Sequence, residues 1–125
     1  MNYPLDIKIH PEHTWIKVEG EIGIVGITEH AQNELGEIVY FDPPNTGNVY
    51  NQGDVFGSIE ALKTVSDLFM PVSSSIVEIN TNLKANPMLV NSDPFGEGWL
   101  IKVKIKDISD LEKLQSVEEY QLSIK

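Results

Sequence analysis

The sequence contains no cysteine. Disulfides, thiolate nucleophiles and cysteine-ligated zinc are therefore excluded. Positive charge is scarce: 9 Lys and Arg stand against 19 Asp and Glu, for a net charge of -10. Such a chain lacks the cationic face that neutralises phosphates, which argues against nucleic acid, and anionic membrane surfaces repel it. Soluble partners with basic docking faces are favoured instead. No apolar run approaches the roughly 18 residues of a membrane span. Met1-Asn2-Tyr3-Pro4 shows neither the basic nor the apolar region of a signal peptide, so a cytoplasmic, bacterial-type location is expected. Phosphate-cradling glycine loops and the H-E-x-x-H metal motif are missing. Histidines are few: His10, His13 and His30. The first two stand three apart in a Pro-interrupted stretch, which does not make a metal site, and surface or capping roles are expected. No pair among the carboxylates stands out, so an acidic surface is the better reading than acid–base catalysis. No catalytic or metal residues are assigned, and the chain is not expected to be an enzyme.

What is present suits one globular domain. The 125 residues are 41% hydrophobic and 22% charged. A chain of this length buries roughly two-thirds of its unfolded surface, enough for an ordinary core. Short apolar runs with turn punctuation dominate. Thr14–Val18 and Glu21–Ile27 flank Glu19-Gly20 and suggest a hairpin. Thr28 is a fitting N-cap for a short helix through Leu35, with Ala31 and Leu35 on one face and Gly36 as its stop. Strands are predicted at Ile38–Phe41, Val55–Glu60, Ser66–Val72, Ile76–Ile79 and Trp99–Ile105. In the last of these, Trp99, Ile101, Val103 and Ile105 share one face and Lys102 and Lys104 the other. Ser109–Glu112 and Ser116–Glu119 both fit a capping box and predict a helical tail. The core is then about residues 10–106 and the tail 107–125.

A faint internal repeat accompanies this pattern. Ile38-Val39 returns as Ile76-Val77, and Asp54-Val55-Phe56-Gly57 returns as Asp93-Pro94-Phe95-Gly96. Two related strand units are expected to pack as two sheets, with Asn51–Asp54 and Asn91–Pro94 as equivalent turns. Between the units, two strand-like runs flank Leu62-Lys63-Thr64, with Glu60 three residues before Lys63 and Asp67 four after. A lysine on a rigid tip is open to an enzyme that reads folded shape and acylates the amine. Acylation removes the charge and makes the side chain a tether.

This stretch resembles the lipoyl attachment site of the glycine cleavage system H protein family. The resemblance runs from about His10 to Leu122. It is carried, in order, by His13-Thr14-Trp15, Val25–Gln32, Leu35–Val39, Gly53–Gly57, Glu60–Pro71, Glu78-Ile79-Asn80, Asn86-Pro87, Val90-Asn91 and Asp93–Lys102. Biotin carriers usually place methionine on both sides of the lysine, and acyltransferase lipoyl domains usually place Asp before it. Here Leu62 and Thr64 flank Lys63.

The resemblance implies a mainly β, barrel-sandwich hybrid of two small antiparallel sheets. A short helix would lie in the N-terminal half and helices near the C-terminus. It implies a monomeric carrier with (R)-lipoate on Lys63, attached by lipoate ligase or a lipoyl/octanoyl transferase. The partners implied are the pyridoxal-phosphate glycine decarboxylase, the aminomethyltransferase and dihydrolipoamide dehydrogenase. The carrier takes an aminomethyl group from the first to the second, and reducing equivalents to the third. The extended arm reaches on the order of 14 Å, summing projected single bonds. Glu60 and Ser74 would belong to the surface read during lipoylation. Glu12, Thr14, Ile27 and Asp67 would form the cleft that shelters the loaded arm.

The chain departs from the family pattern at two places. Thr14 stands where the family commonly has Glu, which removes a carboxylate from the cleft. Ser74 stands where it usually has Gly, which adds a side chain at the docking surface or strain if φ is positive. These departures keep open two alternatives: an H-like paralogue that relays lipoyl groups, and an unmodified binding scaffold.

Overall fold

The computed structural model describes residues 3–124. Met1, Asn2 and Lys125, the last residue of the expected tail, lie outside the described residues. The chain begins with β1 (Ile7–Ile9), β2 (Thr14–Glu19) and β3 (Ile22–Ile27), all antiparallel neighbours. Gly20 makes the β2–β3 turn at φ +64°, a conformation that glycine adopts without steric cost. Helix α1 (Glu29–Leu35) follows; the Thr28 side chain accepts from the Ala31 N–H, and Gly36 ends the helix at φ +82°. Then come β4 (Ile38–Asp42), β5 (Val49–Tyr50), β6 (Val55–Ala61), β7 (Val65–Phe69) and β8 (Ser74–Ile79). The single-turn helices α2 (Asn82–Ala85) and α3 (Leu89–Ser92) lead to β9 (Ile101–Ile105). A 3₁₀ turn (Ile108–Lys113) and α4 (Val117–Ser123) complete the chain.

Two antiparallel sheets result. One runs β1-β2-β3-β9-β8-β5 and the other β4-β6-β7. Between them lies a core that includes Ile16, Val25, Ile38, Ile59, Met70, Ile76 and Val103, each at most 1% exposed. Burying each such side chain stabilises by about 1.5–3 kcal/mol. A second cluster (Tyr3, Ile7, Ile9, Trp15, Val117 and Tyr120) packs α4 against β1 and β2. Trp15 lies flat over Gly26: a Cβ there would sit 2.7 Å from the indole ring. The indole N–H donates to the carbonyls of Ile27 and Pro94 at 3.0 and 3.1 Å.

Several boundaries differ from the sequence reading. The strand expected through Val72 ends at Phe69, because Pro71 has no N–H to continue the ladder. Trp99 is not in β9; its N–H donates to Gly96 O, which holds it in the preceding turn. The first tail box does not form. Asp107 takes the Ser109 N–H, its carboxylate outcompeting a hydroxyl, and a 3₁₀ turn replaces the α-helix. The Ser116–Glu119 box is present in full. The repeat holds for strand pairs but not turns. Strands β4 and β6 pair in one sheet and β8 and β9 in the other, whereas Asn91-Ser92 ends α3 and Phe95 stays in a turn.

Candidate functional site

The β6–β7 hairpin builds the exposed tip. Register pairs Glu60 with Val65, and the Ala61 N–H donates to Thr64 O at 2.8 Å. Leu62 and Lys63 are left as a two-residue loop. The Leu62 N–H donates to Glu37 O at 3.2 Å and ties the loop to the residue before β4. Lys63 is exposed, and among the described residues its ammonium enters no ion pair. A primary amine is thus presented on a short, doubly tethered loop.

On the flank of this hairpin lies a cleft of about 160 Å³. Strand residues Ile59, Ser66, Asp67 and Leu68 form one wall. Ile27 and the α1 residues Ala31, Glu34 and Leu35 form another, and Glu12 and His13 the rim. Its floor is apolar and its edge carries three carboxylates: Glu12, Glu34 and Asp67. Of the expected cleft residues, the fold brings Glu12, Ile27 and Asp67 together. Thr14 does not join them. It is 1% exposed, and its hydroxyl donates to Phe69 O at 2.7 Å, bracing β2 against β7 behind the wall.

Glu34 and His13 were missed in the sequence. The signal for Glu34 was available: it stands three after Ala31 and one before Leu35, on the helix face already singled out. His13 carried no such signal. It adopts φ 77°, the only positive φ of a non-glycine residue among those described. That backbone turn aims its ring at α4, 107 residues away, where Nδ1 lies 2.6 Å from the Tyr120 hydroxyl. The same hydroxyl is 2.8 Å from Thr28 Oγ1, which accepts from the Ala31 N–H. One set of directions satisfies every group: Thr28 donates to Tyr120, and Tyr120 donates to His13 Nδ1. Burial, with a smaller push from His30, lowers the His13 pKa, which favours the neutral ring that this set of directions requires. Burial pushes the Tyr120 hydroxyl up to about 12, so it remains a donor. The cleft rim is thereby fixed to the C-terminal helix.

The two residues expected in the surface read during lipoylation fall differently. Glu60 is exposed on β6, three residues before Lys63. Ser74 is fully buried in β8, pairs with Tyr50 and Ile105, and donates its hydroxyl to Val72 O at 3.1 Å. It has no positive φ. The ordinary strand angle weighed against strain is the one found, and the added side chain points into the protein rather than to a docking surface. A second hollow, about 220 Å³ between β4 and α2, is lined mainly by Tyr40, Phe41, Pro43, Ile79 and Leu83, with Lys84 at its edge. No group of His, Asp or Glu among the described residues is arranged to hold a metal.

Two facing antiparallel sheets with a lysine on a hairpin loop define a barrel-sandwich hybrid of the lipoyl/biotinyl type. The model of the glycine cleavage H-protein family matches residues 7–125. The glycine cleavage system H protein of Bacteroides fragilis is 50% identical over 121 residues, covering 97% of this chain and 96% of the relative. That of Acinetobacter baumannii is 44% identical over 124 residues, covering 99% and 100%. The crystal structure of an H protein from Mycobacterium marinum superposes with a TM-score of 0.86 at 33% identity, covering 98% of each chain. The chain belongs to the glycine cleavage H-protein family. It is a carrier subunit of the glycine cleavage system and not a catalyst. No helix among the described residues is long and apolar enough to cross a membrane.

Proposed function

We propose that this chain is the lipoyl carrier of glycine cleavage, with lipoate in amide linkage to Lys63. The observation that carries the reading is the exposed, unpaired Lys63 amine on a two-residue loop beside a cleft of matching chemistry. The deprotonated amine of Lys63 attacks the acyl carbon of adenylate-activated lipoate. The N–C bond forms, the acyl C–O bond breaks, AMP leaves with the electron pair, and the amine proton passes to solvent. The rigid loop keeps the amine clear of its own surface during that attack.

The residues of the cleft fit the group. Ile27, Ala31, Leu35, Ile59 and Leu68 offer apolar walls to an alkyl chain and its sulfur ring. Glu12, Glu34 and Asp67 offer anionic partners to a cationic amine. When bound, lipoyl would supply the disulfide/dithiol chemistry by which the carrier serves the decarboxylase, the aminomethyltransferase and dihydrolipoamide dehydrogenase. Asp67, Glu12 and Glu34 hold the amine protonated, and Leu68 and Ile59 exclude water around it. Residues 107–124 act with the core as one domain, because Asp110 accepts the Ser73 N–H and Gln52 donates to Asp110 O, each at 2.9 Å.

The test is intact mass after incubation with lipoate, ATP and a lipoate ligase. One lipoyl addition is expected, located on Lys63 by fragmentation, with none on Lys63→Arg. An adduct that persists on Lys63→Arg, or a wild type that takes none, overturns the reading.

A further inference from the structure

We infer that the outer face of the β4-β6-β7 sheet is the docking surface for the enzyme that acylates Lys63, with Tyr40 and Val65 as its apolar contacts on either side of Glu60. This rests on the lipoyl-carrier reading and adds the surface by which the attaching enzyme holds its substrate.

The face is built by register. Tyr40 pairs with Glu60 and Glu60 with Val65, so the three side chains form one row across the sheet. Directly paired residues point to the same face. Tyr40 is 51% exposed and Val65 59%. Leu62, beside Lys63 on the loop, is 70% exposed. Behind this row, Asp42, Ser58 and Asp67 make a second, polar one.

A local irregularity turns Tyr40 outward. Strict alternation from buried Ile38 would put Tyr40 inside and Phe41 outside. The register shifts between Ile38 and Tyr40, and the observed order is Ile38 in, Val39 and Tyr40 out, Phe41 in. Such a bulge re-aims side chains at the cost of local ladder bonds. The chain thus spends an irregularity to place a tyrosine in water on the small sheet.

The occupant follows from geometry and charge. Strands stand about 4.8 Å apart and rise about 3.3 Å per residue, so the row spans about 10 Å and lies within about 10 Å of the Lys63 tip. An enzyme that seats the Lys63 amine in its active site must cover this area. An apolar row around one carboxylate, with Asp42 and Asp67 behind it on a chain of net charge -10, fits a face with an apolar centre and basic rim. Tyrosine is a frequent anchor of such interfaces, supplying area at low entropic cost. Tyr40 also lines the hollow between β4 and α2, at the edge of the small sheet.

The experiment measures initial lipoylation rates by intact mass, at varied carrier concentration, for the full chain with lipoate, ATP and a lipoate ligase. Tyr40→Ser and Val65→Ser are compared with Val77→Ser, an exposed valine on the other sheet. Tyr40→Ser is expected to raise KM about tenfold, with kcat held within about twofold and melting temperature unchanged. Val65→Ser should raise KM less, Tyr40→Phe should stay near wild type, and Val77→Ser should not move. Wild-type KM for both serine variants on the small sheet, or an equal rise for Val77→Ser, overturns the docking face while leaving Lys63 as the modified residue. A wild type that takes no lipoyl group overturns the carrier reading and this inference with it.

Discussion

Tyr120→Phe probes the link between the C-terminal helix and the cleft rim. Tyr120 is 1% exposed, and the substitution keeps its ring against Tyr3 at 6.0 Å and His13 at 5.6 Å. Only the hydroxyl is lost. His13 Nδ1 then loses its donor at 2.6 Å, and the Thr28 hydroxyl loses its acceptor at 2.8 Å. A buried polar group left without a partner costs about 1–3 kcal/mol. Thr28 is fully buried and His13 only partly, so the two together give about 2–4 kcal/mol. For a domain of this size that lowers the melting temperature by roughly 6–15 °C. Thermal unfolding followed by far-ultraviolet circular dichroism, with urea titration for the free energy, checks it. A shift under about 2 °C would refute the reasoning, since it would mean that water satisfies these groups as well as Tyr120 does.

Four further outcomes are expected. Because folding lowers the His13 and His10 pKa values below 6.5, mainly through burial, the unfolded chain binds more protons just below that pH; stability should be flat above about pH 6.5 and fall as pH drops beneath it, checked by urea midpoints from pH 7.5 to 5. Ser74→Gly should leave the lipoylation rate unchanged but cost about 1–2 kcal/mol in chemical denaturation, through strand entropy and the lost bond to Val72; faster modification of the glycine variant would restore a recognition role for Ser74. Asp67→Asn or Glu34→Gln in the aminomethyl-loaded carrier should speed nonenzymatic ammonia release by up to about fivefold, and an unchanged rate would show that the cleft does not hold the amine. Gly57→Ala should destabilise by about 1–3 kcal/mol in the same denaturation assay, because its Cβ would sit 2.5 Å from Asp42 O where β4 and β6 approach.

Much of this protein was legible in the residues alone. Alternation and turn chemistry placed the β2–β3 hairpin, and Thr28 and Gly36 marked both ends of α1, because these signals act over a few residues. Leu62-Lys63-Thr64 stood out as a tip because strand-like runs bracketed it, and the Ser116–Glu119 box formed as written. Tertiary structure decided what depends on distant partners. Thr14 and Ser74 read as surface positions, yet both are buried, since the packing of β2 against β7 and of β8 between β5 and β9 is not encoded near them. Glu34 joined Glu12 and Asp67 only when α1 settled over the β6–β7 hairpin. Tyr40 reached the outer face through a bulge that no alternation rule contains. The His13–Tyr120 bond spans 107 positions, and His13 makes it from a positive φ in the turn that its N–H closes onto His10 O. Local rules marked many elements from their own residues, though not the 3₁₀ turn after Asp107, and which side chains share a cleft is settled only when the sheets close over one core.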